Sequence, residues 1–318
     1  MLLDIDHLTL KLPGAARPLL ADVSLRVASG EVVGLVGESG SGKSTTAKAA
    51  LRLFPEGVSA SGAVRVDGTD VLALTGEDLR THRSRTVAMV HQDPRSALNP
   101  VRRIGDFLVE RGATRARAVE LLATVGLSDP ERRVRQRPHE LSGGMLQRVV
   151  IAGALATEPR LLLADEATSA LDVTTQAEIL ALLRTLRTER NLGLLFITHD
   201  LHLAAAYCDR VYVMYAGRVV EEQRAENLFA RPGHPYTRGL LDCSPALGEK
   251  REIRPIPGRP PSLSDAFTGC EFAARCPKAE PACGSWRPEP VAVPYGGTVS
   301  CRCLPVHETV ASAERSHR

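Results

Sequence analysis

The sequence predicts an α/β protein, with a parallel-sheet core, an antiparallel β subdomain, a helical subdomain and an irregular, cysteine-rich C-terminal tail. Three observations carry this expectation. Residues 32–36 (VVGLV), 86–90 (TVAMV), 161–164 (LLLA) and 194–198 (LLFIT) are short, nearly continuous apolar runs, as parallel strands covered on both faces require. Residues 8–12 (LTLKL), 23–27 (VSLRV) and 63–67 (AVRVD) alternate apolar and polar positions instead, the pattern of antiparallel strands with one wet face. Composition then changes near residue 245.

The remaining elements follow in order. Residues 100–160 are dominated by helical patterns such as VELLATVGL and QRVVIAGALA, and form the helical subdomain. Residues 211–221 (VYVMYAGRVVE) read as two strands around Ala216-Gly217, a hairpin that extends the sheet. Residues 245–305 hold 11 of the 21 prolines, five of the seven cysteines and the only tryptophan, Trp286, without a helical period. The expected division is 1–244 for the main domain and 245–318 for a separate extension.

Composition excludes several functions. Apolar residues make up 43% of 318 residues, but no run approaches the roughly 18 to 20 that a membrane-spanning helix needs. Asp4 and Asp6 interrupt the first apolar residues, so no secretory signal is expected and the chain reads as cytoplasmic. Net charge is only +3, with 35 Arg against 5 Lys, which implies no nucleic-acid partner. The basic run 131–137 (ERRVRQR) reads as a solvated helix face.

Gly37-Glu38-Ser39-Gly40-Ser41-Gly42-Lys43-Ser44 matches G-x-x-x-x-G-K-[ST] and stands between the apolar strand 32–36 and a helical stretch at 43–53, the context that a phosphate-binding loop requires. Glycines let the backbone curl until successive N–H groups face phosphate oxygens, and the next helix adds its positive end. The expected set is Gly37, Ser39, Gly40, Gly42, Lys43, Ser44 and Thr45, with ATP as ligand. Lys43 spans the β- and γ-phosphates, and the Ser44 hydroxyl ligates Mg²⁺.

Leu161-Leu162-Leu163-Ala164-Asp165-Glu166 is an apolar strand ending in two carboxylates. In a phosphate-loop protein these supply what phosphoryl transfer to water needs, Asp165 to hold Mg²⁺ or its water and Glu166 to polarise the attacking water.

Leu141-Ser142-Gly143-Gly144-Met145-Leu146-Gln147 precedes a helix expected at 147–156, which aims free N–H groups at an anion. LSGG, followed 23 residues after Ser142 by Asp165, resembles the signature of ABC ATPases, and the resemblance covers residues 1 to about 240. It implies a P-loop NTPase core of RecA-like type. It further implies that Gln92 is the Q-loop glutamine that reaches Mg²⁺, that Ser169-Ala170-Leu171-Asp172 is the D-loop, and that His199 senses the γ-phosphate. Two such chains stack head to tail, so Ser142 and Gly144 of one complete the site built on Lys43, Glu166 and His199 of the other. The match departs from the family where no Phe, Tyr or Trp precedes Phe54, leaving Arg17 or Leu12 in place of the aromatic that commonly stacks on adenine. Ala167 also follows Glu166 where the family usually has Pro.

Residues 92–100 (QDPRSALNP) and 233–237 (GHPYT) resemble the oligopeptide, dipeptide and nickel importer branch. The branch implies two integral-membrane permease subunits, a second ATPase or a second copy as dimer partner, an extracytoplasmic solute-binding protein, and a place on the cytoplasmic face of the membrane. Peptides are the expected cargo, with nickel or another small solute as the alternative. A soluble repair or translation ATPase is a further alternative, which the single cassette disfavours.

Cys270, Cys276, Cys283 and Cys301 follow with gaps of five, six and 17 residues. As residues they read either as small buried apolar side chains or as thiolates holding zinc or iron-sulfur. Resemblance to the branch favours a 4Fe-4S cluster. Any such centre is expected to replace the core that the tail lacks, with nothing linking the tail to the phosphates.

Overall fold

The computed structural model describes residues 1–168, 171–244, 254–294 and 296–301. Along the chain, β1 (Leu3–Lys11), β2 (Leu20–Val27) and β3 (Val32–Val36) lead into α1 (Lys43–Ala49). Next come β4 (Ser59–Val66), β5 (Thr69–Asp70), α2 (Gly76–Arg85) and β6 (Val87–Val90). A helical layer follows, α3 (Ile104–Glu110), α4 (Arg115–Thr124), α5 (Pro130–Arg133) and α6 (Gly143–Leu155). The chain then alternates through β7 (Leu161–Asp165), α7 (Val173–Arg190), β8 (Gly193–Ile197), α8 (Leu201–Tyr207), β9 (Arg210–Tyr215) and β10 (Arg218–Arg224). Two helices, α9 (Ala225–Ala230) and α10 (Pro235–Cys243), and two short tail strands, β11 (Val291–Ala292) and β12 (Thr298–Val299), complete it.

The four apolar runs are the parallel strands expected. The larger sheet has the order β11-β12-β10-β9-β3-β8-β7-β6, and β3, β9, β8, β7 and β6 pair in parallel. Strand alternation sends Val33, Leu35, Leu161, Leu163, Leu195 and Ile197 to one face, where they pack with the second sheet and α1. Val32, Val36, Leu162, Ala164, Leu194 and Phe196 go to the other face, against the helical layer. Covering both faces explains why these runs are continuously apolar. The second sheet, β2-β1-β4-β5, is antiparallel, and the β9–β10 hairpin turns at Ala216-Gly217, both at positive φ.

Two helix boundaries differ from expectation. α1 ends at Ala49 and not at 53. α6 begins at Gly143, four residues before 147, because the Ser142 hydroxyl accepts from Met145 N–H at 3.3 Å and caps it there. Thr114 caps α4 in the same way through Arg117 N–H.

The tail is irregular as expected, but it is built onto the main domain. β12 pairs antiparallel with β10, placing Glu221 opposite Val299 and Glu222 opposite Thr298, and β11 extends the edge. Phe272, 2% exposed, packs its ring 5.2 Å from that of Tyr215 and 5.4 Å from that of Tyr236. Burying one such ring contributes about 2 kcal/mol. Arg218 pairs with Glu271 at 2.6 Å, and Arg17 donates to the carbonyls of Pro261 and Ser262. The tail thus draws stability from its packing on the main core.

Among the described residues no group of three or more His, Cys, Asp or Glu is placed to hold a metal ion. Cys270 and Cys276 pack partly buried against the main core, while Cys301 is buried in a small cluster with Val293 and Val299. Burial is the main cause that pushes the Cys270 thiol up to about 11, with the nearby Cys283 and Cys276 adding to the rise. The zinc or 4Fe-4S expectation therefore finds no support among the described residues. Cys303 lies outside the described residues.

Candidate functional site

Every parallel strand of the sheet delivers its next loop to the same edge, the carboxyl end where α/β sheets bind ligands. β3 runs into residues 37–42 and α1, β6 leads to Gln92, β7 ends at Asp165 and Glu166, and β8 leads to His199. The sheet order β3-β8-β7-β6 sets these loops side by side.

The loop after β3 has the conformation that its glycines permit. Gly37 has φ 147°, and a Cβ there would lie 2.2 Å from Met214 O. Gly42 has φ 105°, and a Cβ there would lie 2.7 Å from Leu20 Cδ2. Gly217 N–H donates to Ser41 O at 2.9 Å, tying the loop to the β9–β10 turn.

Lys43 is 6% exposed, and its ammonium donates to Gly37 O at 2.8 Å and Glu38 O at 2.9 Å. Two of its three protons are thereby used, leaving one for an incoming acceptor. Burial pulls its pKa down, and the charges of Glu166, Asp165 and Glu38 oppose the fall.

The Ser44 hydroxyl donates to Asp165 Oδ1 at 2.8 Å. Two half-buried hard oxygen donors on facing elements fit Mg²⁺, which is typically bound by one or two such groups with waters and phosphate oxygens. Glu166 stands one residue further on, at φ 49°, a region that a side chain rarely occupies and that is typical of functional sites. Its N–H donates to Ile197 O at 3.0 Å, locking the end of β7 to that of β8. The result sets Glu166 Oε2 3.4 Å from His199 Nδ1, the His199 side chain being 62% exposed and that of Glu166 22%. A sheltered carboxylate beside an exposed imidazole can bind and orient a water.

Gln92 lies exposed two residues beyond β6, and its neighbour His91 feels the Asp165 charge. Ser39 and Gly40 are exposed at the loop tip, and Thr45 is half-buried in α1. Ser142 and Gly144 sit elsewhere, at the start of α6 in the helical layer. Ser142 is exposed, and a Cβ on Gly144 would lie 2.6 Å from Thr175 Cγ2. Of the D-loop expectation, Ser169 and Ala170 lie outside the described residues, while Asp172 caps α7 by accepting from Thr175 N–H at 3.0 Å. Arg17 points its guanidinium into protein, to Ala216 O at 2.8 Å and to the tail carbonyls, with the ring of Phe267 5.8 Å away.

Sequence reasoning missed the support of the loop. Glu38 N–H donates to Tyr236 Oη at 2.8 Å, and the Glu38 carboxylate takes a bidentate pair from Arg275 of the tail. Tyr236 belongs to the GHPYT segment, noticed only as a resemblance, and Arg275 precedes Cys276 in the tail. No local pattern signals a pair 237 residues apart.

Backbone amides curled around a buried lysine, with a serine and an aspartate set for a cation, define a P-loop nucleotide-binding protein. Residues 20–169 match the ABC transporter family, and residues 220–283 match the C-terminal region of oligopeptide/dipeptide transporters. The chain is 45% identical over 314 residues to an oligopeptide transport ATP-binding protein, OppD, of Mycobacterium bovis, covering 94% of this chain but only 51% of that protein. It therefore spans about half the length of that relative. It is 42% identical to a probable peptide ABC transporter ATP-binding protein, y4tR, of Sinorhizobium fredii, over 95% of this chain and 94% of that one. Among solved structures it resembles a dimeric post-hydrolysis state of the ATP-binding cassette MJ0796 bound to ADP and Pi, with TM-score 0.61 and 30% identity over 70% of this chain and 98% of that one. The chain belongs to the ABC transporter family of ATP-binding proteins and carries the C-terminal region of its oligopeptide/dipeptide branch.

Proposed function

We propose that this chain binds and hydrolyses ATP as the motor subunit of an importer, with peptides as cargo. The observation that carries the reading is the Glu166–His199 pair at the same sheet edge as Lys43 and the Ser44–Asp165 pair. In this reading the loop amides and Lys43 hold the phosphates. Ser44 and Asp165 hold Mg²⁺, with Gln92 reaching it from β6. When bound, the cation neutralises charge on the phosphate oxygens. Glu166 orients a water and accepts its proton, and His199 donates to the terminal phosphate.

The site is completed by another subunit. Ser142 stands exposed and Gly144 half-buried at the N-terminal end of a 13-residue helix, where free amides favour an anion, and the solved relative named above is a dimer. Closure of two cassettes, of the same or related chains, would drive two membrane permeases fed by a solute-binding protein, from the cytoplasmic face. Residues 1–244 form the motor in this reading and 245–318 its extension. Among the described residues no helix is long and apolar enough to cross a membrane. The named relatives favour peptides over nickel as cargo.

The test is the ATPase rate per subunit, measured against protein concentration and after adding the permease complex. The expected result is a slow basal rate that rises with both, and peptide uptake by vesicles holding the assembled complex. A rate independent of both would overturn the shared-site reading, and uptake of nickel without peptides would move the cargo.

A further inference from the structure

We propose that Arg275 of the C-terminal tail is a positioning residue of the nucleotide site, acting through Glu38 so that tail docking and nucleotide binding reinforce each other. The proposal rests on the ATP-binding reading above. Glu38 is held at each of its polar groups. Its N–H donates to Tyr236 Oη at 2.8 Å, its carbonyl accepts from Lys43 Nζ at 2.9 Å, and its carboxylate receives Arg275 Nη1 at 2.7 Å and Nη2 at 3.0 Å. One residue of the loop thereby joins the phosphate-binding lysine to α10 and to the tail.

The arginine end of this link is rigid. Its side chain is 5% exposed, its Nε donates to Pro257 O at 2.8 Å, and its guanidinium lies 5.8 Å from the centre of the Tyr215 ring. Phe272, three residues earlier, is buried between Tyr215 and Tyr236. A bidentate guanidinium–carboxylate pair fixes orientation as well as distance, so the pair fixes how residues 37–39 present their amides. Removing Arg275 leaves a sheltered carboxylate unpaired beside the phosphate site, where negative charge opposes an anionic ligand. Because coupling between two binding events is reciprocal, a tail that improves nucleotide binding must itself be held more tightly when nucleotide is bound.

The experiment uses the full chain and measures Mg-ATP affinity by calorimetry, the KM and kcat of turnover, and the rate of protease cleavage within the tail with and without ATP. In the wild type, ATP should slow tail cleavage. Arg275→Ala should weaken ATP binding about 10-fold and raise KM correspondingly, with a much smaller change in kcat, and both it and the shape-preserving Glu38→Gln should remove the protection by ATP. Arg275→Lys, which keeps charge but not the fork, should recover part of the affinity. Folding of each variant is checked by circular dichroism, and Glu38→Gln decides the matter if Arg275→Ala does not fold. Intact protection in Glu38→Gln would overturn the coupling while leaving ATP binding standing. A wild-type chain that binds no ATP would overturn the functional reading itself.

Discussion

The Ser44 hydroxyl donates to Asp165 Oδ1 at 2.8 Å, joining the first turn of α1 to the last residue of β7. Both oxygens come from elements packed on the same core, so their separation is set by the sheet and not by the ligand. Ser44→Ala removes one of the pair and should raise the Mg²⁺ concentration for half-maximal turnover by about 10-fold or more. Titrating turnover with Mg²⁺ at fixed ATP checks this, and an unchanged midpoint would dismiss Ser44 as a ligand.

Glu166 is the next residue, and its proximity to His199 gives it a different part. Glu166→Gln keeps the shape but loses the base, so Mg-ATP binding should be retained while turnover falls by about 10²-fold or more. Phosphate release close to the wild-type rate would sink the assignment.

How far these residues were legible in sequence depended on whether their signal was local. The loop 37–44 and the strand 161–166 declare themselves because glycine spacing and an acidic strand end are short patterns with one common structural use. Gln92 and His199 were placed only by resemblance, since each follows a strand in a way that many polar residues do. The docking of the tail was not legible, because proline content and absent periodicity describe a segment without its own core, while Phe272 and Arg275 borrow the core of the main domain. Contacts separated by more than 200 residues leave no periodic trace.

Ser142 caps α6 with its own hydroxyl, and its side chain is exposed rather than turned into the site around Lys43. Ser142→Arg should therefore leave ATP binding by the same chain unchanged and abolish turnover in the assembled complex, where the bulky cation would fill the neighbour's phosphate site. Comparing equilibrium binding with turnover checks this, and equal loss of both would mean that Ser142 acts within its own chain.

His234 makes a prediction about stability and pH. It is 2% exposed, its Nδ1 accepts from Tyr236 N–H at 3.0 Å, and burial pushes its pKa down to about 3. A proton on Nδ1 would face that N–H, so the native state keeps the ring neutral while the unfolded chain takes up a proton near pH 6.5. Between these values the unfolded state binds more protons, so stability rises with pH through the window and is lost as pH falls. The slope is about 1.4 kcal/mol per pH unit, or roughly 2 kcal/mol lost between pH 7 and pH 5. Glu221, whose carboxyl is raised by burial and which accepts from His234 N–H, acts with the opposite sign at pH above its ordinary value, and it is present in the variant as well, so its effect cancels in the comparison. His234→Asn keeps a capping acceptor at the start of α10 but cannot titrate. Urea denaturation at pH 7 and pH 5 should show a less stable variant at pH 7 whose further loss at pH 5 is smaller than that of the wild type by roughly 2 kcal/mol. Equal losses in the two proteins would show that His234 does not carry the acid sensitivity of this domain.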